Sequence, residues 1–78
     1  MSKIKSGKID IGNNIKTIID DKKIKRTEII REMQLQGISI NSQRLYKIEH
    51  NIAIITADEL LAIAEILEIT VEDLLKKG

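Results

Sequence analysis

Apolar residues recur at helical spacing along this chain, in short runs that each end at a residue able to cap or stop a helix. Ile11, Ile15, Ile18 and Ile19 fall at i, i+4, i+7 and i+8, which gathers them on one helix face. Asp10 stands before them as a candidate N-cap. The polar run Asp20-Asp21-Lys22-Lys23 closes the segment. A second helix is expected from about Arg26 to Leu35, with Ile29, Ile30 and Met33 as its buried stripe. Gly37 is its natural stop, because glycine reaches a left-handed C-terminal conformation cheaply. Ile38-Ser39-Ile40 is too short for a strand and reads as an extended connection with two apolar anchors.

Asn41 is the expected N-cap of a third helix over residues 42–50, and Asn51 sits where a left-handed residue would close it. Thr56 and Glu59 have the spacing of a capping box ahead of a fourth helix, Ala57 to Leu67. Thr70 caps a last short helix, Val71 to Lys76, with Glu72 and Asp73 in its first turn and Lys76-Lys77 at its end. Both charge placements suit the helix dipole. Five short helices with short connections make an all-α domain.

The chain has 78 residues, enough for one domain whose core supplies only about 3–5 kcal/mol. It contains no Cys, so it has neither a disulfide nor a thiolate metal site, which fits a reducing, cytoplasmic setting. Its apolar runs, Ile52 to Ile55 and Leu60 to Ala64, are far short of the roughly 20 residues a membrane span needs. The basic start, Met1-Ser2-Lys3-Ile4-Lys5, is followed by no apolar stretch of the kind a signal peptide carries. Residues 1–9 read as a flexible basic tail and residues 10–78 as the folded domain.

A net charge of +1 conceals an asymmetry. Residues 1–50 carry eleven Lys/Arg and six Asp/Glu, whereas residues 51–78 carry two Lys and six Asp/Glu. The basic part suits a polyanion. Catalysis finds little support. The one histidine, His50, shares its helix with Ser42, and eight residues of helix separate them by about 12 Å, too far for a nucleophile and its base. The carboxylate pairs Asp20-Asp21, Asp58-Glu59 and Glu72-Asp73 lie at helix ends or turns, where capping explains them. The four glycines are scattered and form no phosphate-cradling loop. No enzyme, cofactor, metal or small-molecule ligand is expected.

The third helix has a distinctive wheel. Leu45 and Ile48 point one way, Gln43, Tyr46, Lys47 and His50 the opposite way, and Ser42 and Arg44 lie at the flanks. The outer face holds hydrogen-bonding and cationic side chains and no carboxylate. Arg or Lys pairs with guanine and Gln or Asn with adenine in the major groove. An ordinary solvated helix face is polar too, though such faces more often carry Glu.

At this point the chain resembles the Cro and phage-repressor type of helix-turn-helix regulator, the xenobiotic-response-element family. The resemblance spans residues 11 to 75. It is carried by Ile11-Gly12-x-x-Ile15-Lys16, Thr27-Glu28-Ile29-Ile30, Leu45-Tyr46-Lys47-Ile48-Glu49, the stretch Thr56 to Leu67 with its Leu-x-x-Ala, and Val71-Glu72-Asp73-Leu74-Leu75. Gln34-Leu35-Gln36-Gly37-Ile38 lengthens the usual turn, as in a variant of the family with a longer second helix and turn.

The resemblance implies a five-helix, lambda-repressor-like bundle whose third helix enters the major groove of double-stranded DNA. It places Ser42, Gln43 and Lys47 at base-contacting positions with Arg44 among them. Arg26, Asn41, Tyr46 and His50 fall to the backbone or the flanks, Arg26 at the start of the second helix where a side chain meets a phosphate. The implied function is a sequence-specific, repressor-like regulator acting as a homodimer.

Three positions depart from the family pattern. Ile19 stands where an Arg often pairs with the carboxylate of the third helix, which leaves Glu49 without its usual partner. Asn51-Ile52-Ala53 replaces a Gly followed by basic residues, and Lys25 replaces a Ser or Thr cap. The missing basic loop and Ile19 favour an alternative, a protein-interaction module such as an antitoxin or accessory factor with degenerate DNA binding, and the basic face of the third helix opposes it. Ile52, Ile54, Ile55, Ile63 and Ile66 exceed what one narrow core stripe needs. Either some of them form an interface between copies, or Ile54 and Ile55 plug the core beneath their loop.

Overall fold

Four of the five helices begin where the sequence supplies a side-chain cap. The computed structural model describes residues 9–76, which form α1 (Ile11–Lys22), α2 (Arg26–Leu35), α3 (Ser42–Glu49), α4 (Ala57–Ile66) and α5 (Val71–Leu74). The Asp10 and Asn41 side chains accept from the backbone N–H of Asn13 and Arg44. Capping boxes close at Thr56–Glu59 and Thr70–Asp73. Lys25 offers no side-chain cap to α2. The last three helices are shorter than their sequence pattern implies, because His50, Leu67 and Leu75 act as C-caps and not as helical residues. The tail expected over residues 1–9 lies, apart from Ile9, outside the described residues. No helix is long and apolar enough to cross a membrane among the described residues.

The helix ends share one device. Gly37 has φ +87, with its N–H donating to the Gln34 carbonyl and that of Ile38 to the Met33 carbonyl. This is the Schellman closure expected of a glycine stop. Asn51 takes the same left-handed conformation after α3 (φ 59), as its sequence position implies. Lys23 and Glu68 do so as well (φ 56 and 58), and nothing in their residue type announces it. Their left-handed backbone costs about 1–2 kcal/mol each relative to glycine, offset by the carbonyls they satisfy and by Ile24 and Ile69, which follow them and pack on the core.

Ile15, Ile19, Ile29, Met33, Leu45, Ile48, Ile63, Leu67 and Leu74 are fully buried and form one core. α1 packs on α3 and α5, α2 packs on α3 and α4, and α4 packs on α5. The thin aliphatic side chains let these short helices approach closely. α1 and α3 meet closely at Gly12. A Cβ there would collide with the Ile48 carbonyl oxygen and lie 2.8 Å from that of Glu49.

The surplus isoleucines divide. Ile63 is core, and Ile55 and Ile66 pack against it half-buried. Ile54 is 89% exposed and Ile52 65%, so Ile54 does not plug the core. The loop turns both side chains outward just after α3.

Candidate nucleic-acid interface

The third helix is held on its inner side and open on its outer side. Leu45 and Ile48 are each 1% exposed and seat α3 against α1 and α2. Ser42, Gln43, Tyr46, Lys47 and His50 are all exposed, on the face the helical wheel assigns to them. Among the described residues, no hydrogen bond or ion pair engages the side chains of Ser42, Gln43 or Lys47. Tyr46 and His50, one turn apart, lay their rings together with centroids 4.1 Å apart and a tilt of 34°. A helix with its side chains is about 10–12 Å across, a diameter that the B-DNA major groove admits.

Both ends of α3 are fixed. At its start Asn41 caps the helix, its Oδ1 accepting from the Arg44 N–H at 2.8 Å. At its end the Asn51 side chain reaches back to α1. Asn51 Oδ1 accepts from the Gly12 N–H at 3.3 Å, and Nδ2 donates to Asp10 Oδ1 at 2.7 Å. The N-cap of α1 thus also holds the C-terminal turn of the outward-facing helix.

Glu49 is the main difference from the sequence reading. It is 5% exposed, and it has a partner. Arg26 supplies it from α2, with Nε donating at 2.9 Å to Oε2 and Nη2 at 2.9 Å to Oε1. The same Nη2 donates to Asp20 Oδ1 at 3.2 Å, and Lys16 approaches the other Asp20 oxygen at 3.4 Å. Ile19, at the position where the family pattern has an arginine, is instead a core residue. The cation that meets the buried Glu49 carboxylate comes from α2 and not from α1. The Glu49 hydrogen bond raises the Arg26 pKa against the opposing effect of burial, and the Arg26 hydrogen bond lowers that of Asp20.

Arg26→Ala is expected to destabilise the fold by about 2 kcal/mol, less than a fully buried pair because the arginine is partly solvated. The added change Glu49→Gln should recover part of that loss. Urea midpoints of the two proteins test it, and equal midpoints for wild type and Arg26→Ala would remove the pair from the stability of the fold.

Arg44 also departs from expectation. Its guanidinium turns away from the open face toward α4 and forms a fork with Glu59, Nε to Oε2 at 2.6 Å and Nη2 to Oε1 at 2.9 Å. Glu59, the acidic member of the capping box, is 3% exposed. The spacing of Thr56 and Glu59 reveals the cap. It cannot reveal the ion pair, which joins residues fifteen apart across a loop.

The Arg44 hydrogen bond holds the Glu59 carboxyl below the ordinary carboxylate range, against burial, which raises it, and the Thr56 N–H lowers it further. A carboxyl depressed in the folded state contributes stability that is complete above its unfolded pKa and is lost as pH falls through the folded value. The urea midpoint is therefore expected to drop as pH falls below about 4.3. Glu59→Gln should flatten that dependence, and an unchanged acid limb in the variant would assign it to other carboxylates such as Asp20 and Asp73.

Comparison with known proteins agrees with this architecture. The family model of the Cro/C1-type HTH DNA-binding domain matches residues 14–76. No curated protein and no solved structure matches the chain significantly. The matched segment covers α2, α3, α4 and α5 and most of α1, and the outward-facing α3 with α2 forms the helix-turn-helix. The chain belongs to the Cro/C1-type helix-turn-helix DNA-binding family.

Proposed function

We propose that this DNA-binding domain is a sequence-specific, repressor-like transcriptional regulator that reads the major groove with α3 as a homodimer. The observation that carries the reading is the outer face of α3, where Ser42, Gln43 and Lys47 are exposed and uncommitted and no carboxylate competes with DNA phosphates. Gln43 suits adenine and Lys47 suits guanine. Asn41, Tyr46 and His50 flank that face toward the backbone. Arg26, at the first residue of α2, leaves Nη1 for a phosphate while its other nitrogens hold Glu49 and Asp20. Phosphate contacts would set register and α3 would supply base preference.

A two-fold dimer presents two such helices about 34 Å apart to successive major grooves. The exposed Ile52 and Ile54 beside the end of α3 support a contact between copies. Ile52 and Ala53, where the resemblance has basic residues, favour the second reading, a protein-interaction module with degenerate DNA binding.

Selection of bound duplexes from a random pool at low salt separates the two. A regulator enriches a motif, loses affinity steeply between about 50 and 200 mM salt, and shows a two-fold repeat if it dimerises. A protein that retains no duplex at low salt is not a regulator, and the interaction module then stands.

A further inference from the structure

The helices of this domain pack as a ring in which α3 and α4 are not principal neighbours. α3 packs on α1 and α2, whereas α4 packs on α2 and α5. One ion pair crosses directly from α3 to α4. Arg44, in the first turn of α3, offers its fork edge to Glu59 in the first turn of α4. Its Nη2 also donates to the Ile54 carbonyl at 3.0 Å, so the same guanidinium fixes the loop between the two helices. Glu59 has three donors, the two Arg44 nitrogens and the Thr56 N–H at 2.8 Å. Two of these donors come from α3 and one from the N-cap of α4 itself.

We propose that Arg44 is a positioning residue, which sets the seat of α3 relative to α4 through Glu59, and does not itself read a base. This deepens, and rests on, the reading of α3 as the groove-entering helix. The argument is one of competition. To reach a base edge Arg44 would have to release Glu59 and leave a carboxylate buried and unpaired, a larger loss than one base contact returns. A lysine in the same place would make a point contact and not the planar fork. The neighbours of Arg44, Gln43 and Lys47, keep no such attachment. Within α3 the labour is therefore divided: Arg44 turns toward α4 to hold the helix, and Gln43 and Lys47 stay exposed toward the groove. A small change in the seat of α3 moves every reading side chain together, so loss of the pair should weaken all base preferences at once.

The test uses wild type, Arg44→Met, Glu59→Gln and the double variant, each at a temperature where denaturation curves show it fully folded. Glu59→Gln is near-isosteric and keeps one acceptor oxygen for the Thr56 N–H while it loses the charge and one arm of the fork, so it keeps the experiment open if Arg44→Met folds poorly. The expected result is about a tenfold loss of affinity for the selected duplex in both single variants, no further loss in the double, and an unchanged salt slope. The motif reselected by each variant should keep its preferred base at every position with all preferences flattened.

Loss of preference at one base pair in Arg44→Met, with Glu59→Gln behaving as wild type, makes Arg44 a reader and overturns the proposal. Affinity unchanged in the folded variants reduces the pair to stability alone and overturns it as well. Failure of wild type to enrich any motif overturns the groove-reading assignment first, and the role of Arg44 in it as a consequence.

Discussion

Gly12→Val is expected to destabilise the protein by about 3 kcal/mol or more, most of what a core of this size supplies. The direction is opposite to what helix propensity alone would give, because valine is a slightly better helix former than glycine. Tertiary geometry reverses the sign. The side chain would enter the space between α1 and the last turn of α3, against the carbonyl oxygens of Ile48 and Glu49, with Asn51 Oδ1 2.6 Å from its Cβ. Two of these three atoms are backbone and cannot rotate aside. Relief requires α1 and α3 to separate, which opens the core at Ile15 and Ile48 and breaks the Gly12–Asn51–Asp10 bonds. Far-UV circular dichroism during urea unfolding measures the effect. Gly12→Ala should fall between wild type and Gly12→Val, and a wild-type midpoint for Gly12→Val would show that the two helices part without cost.

Joint replacement of Gln43 and Lys47 by alanine is expected to have the largest effect on function with almost none on stability. Both side chains are exposed, and no described residue holds them. Each specific base contact contributes about 1–3 kcal/mol of discrimination, and well-separated positions act nearly additively. The double variant should therefore bind the selected duplex about 10²–10⁴-fold more weakly. Its affinity for a scrambled duplex should fall much less, because that binding rests on phosphates and is reduced only by the one lost cation. Competition titrations at one fixed salt concentration give both constants. If the ratio of selected to scrambled affinity is unchanged, bases are not read by this face of α3.

These two outcomes sit on opposite sides of one helix, and the sequence exposes them unequally. The outer face of α3 could be found from the helical wheel, since exposure of Gln43, Tyr46, Lys47 and His50 follows from burial of Leu45 and Ile48 at 100° per residue. The caps were equally legible at Asp10, Asn41, Thr56 and Thr70, because a cap is a contact between residues three apart on the same chain segment. Gly37 and Asn51 announced their left-handed turns by residue type. Lys23 and Glu68 did not, because their strain is compensated by packing of the residues that follow.

The local order of the protein is written in its sequence: five helices, four of them capped, their apolar stripes, and the polar outer side of the third. These follow from periodicity and from bonds within a few residues. Which charges meet and which backbones touch depends on how the helices assemble. Arg26 with Glu49 spans 23 residues and Arg44 with Glu59 spans 15, and no rule of spacing selects those partners from the other lysines, arginines and carboxylates of the chain. Packing selects them, since Glu49 and Glu59 become buried only when the helices assemble and each then requires the cation that lies within reach. Gly12 is the same lesson in steric form: a glycine that looks dispensable within α1 is required by the carbonyls of a helix that begins thirty residues later.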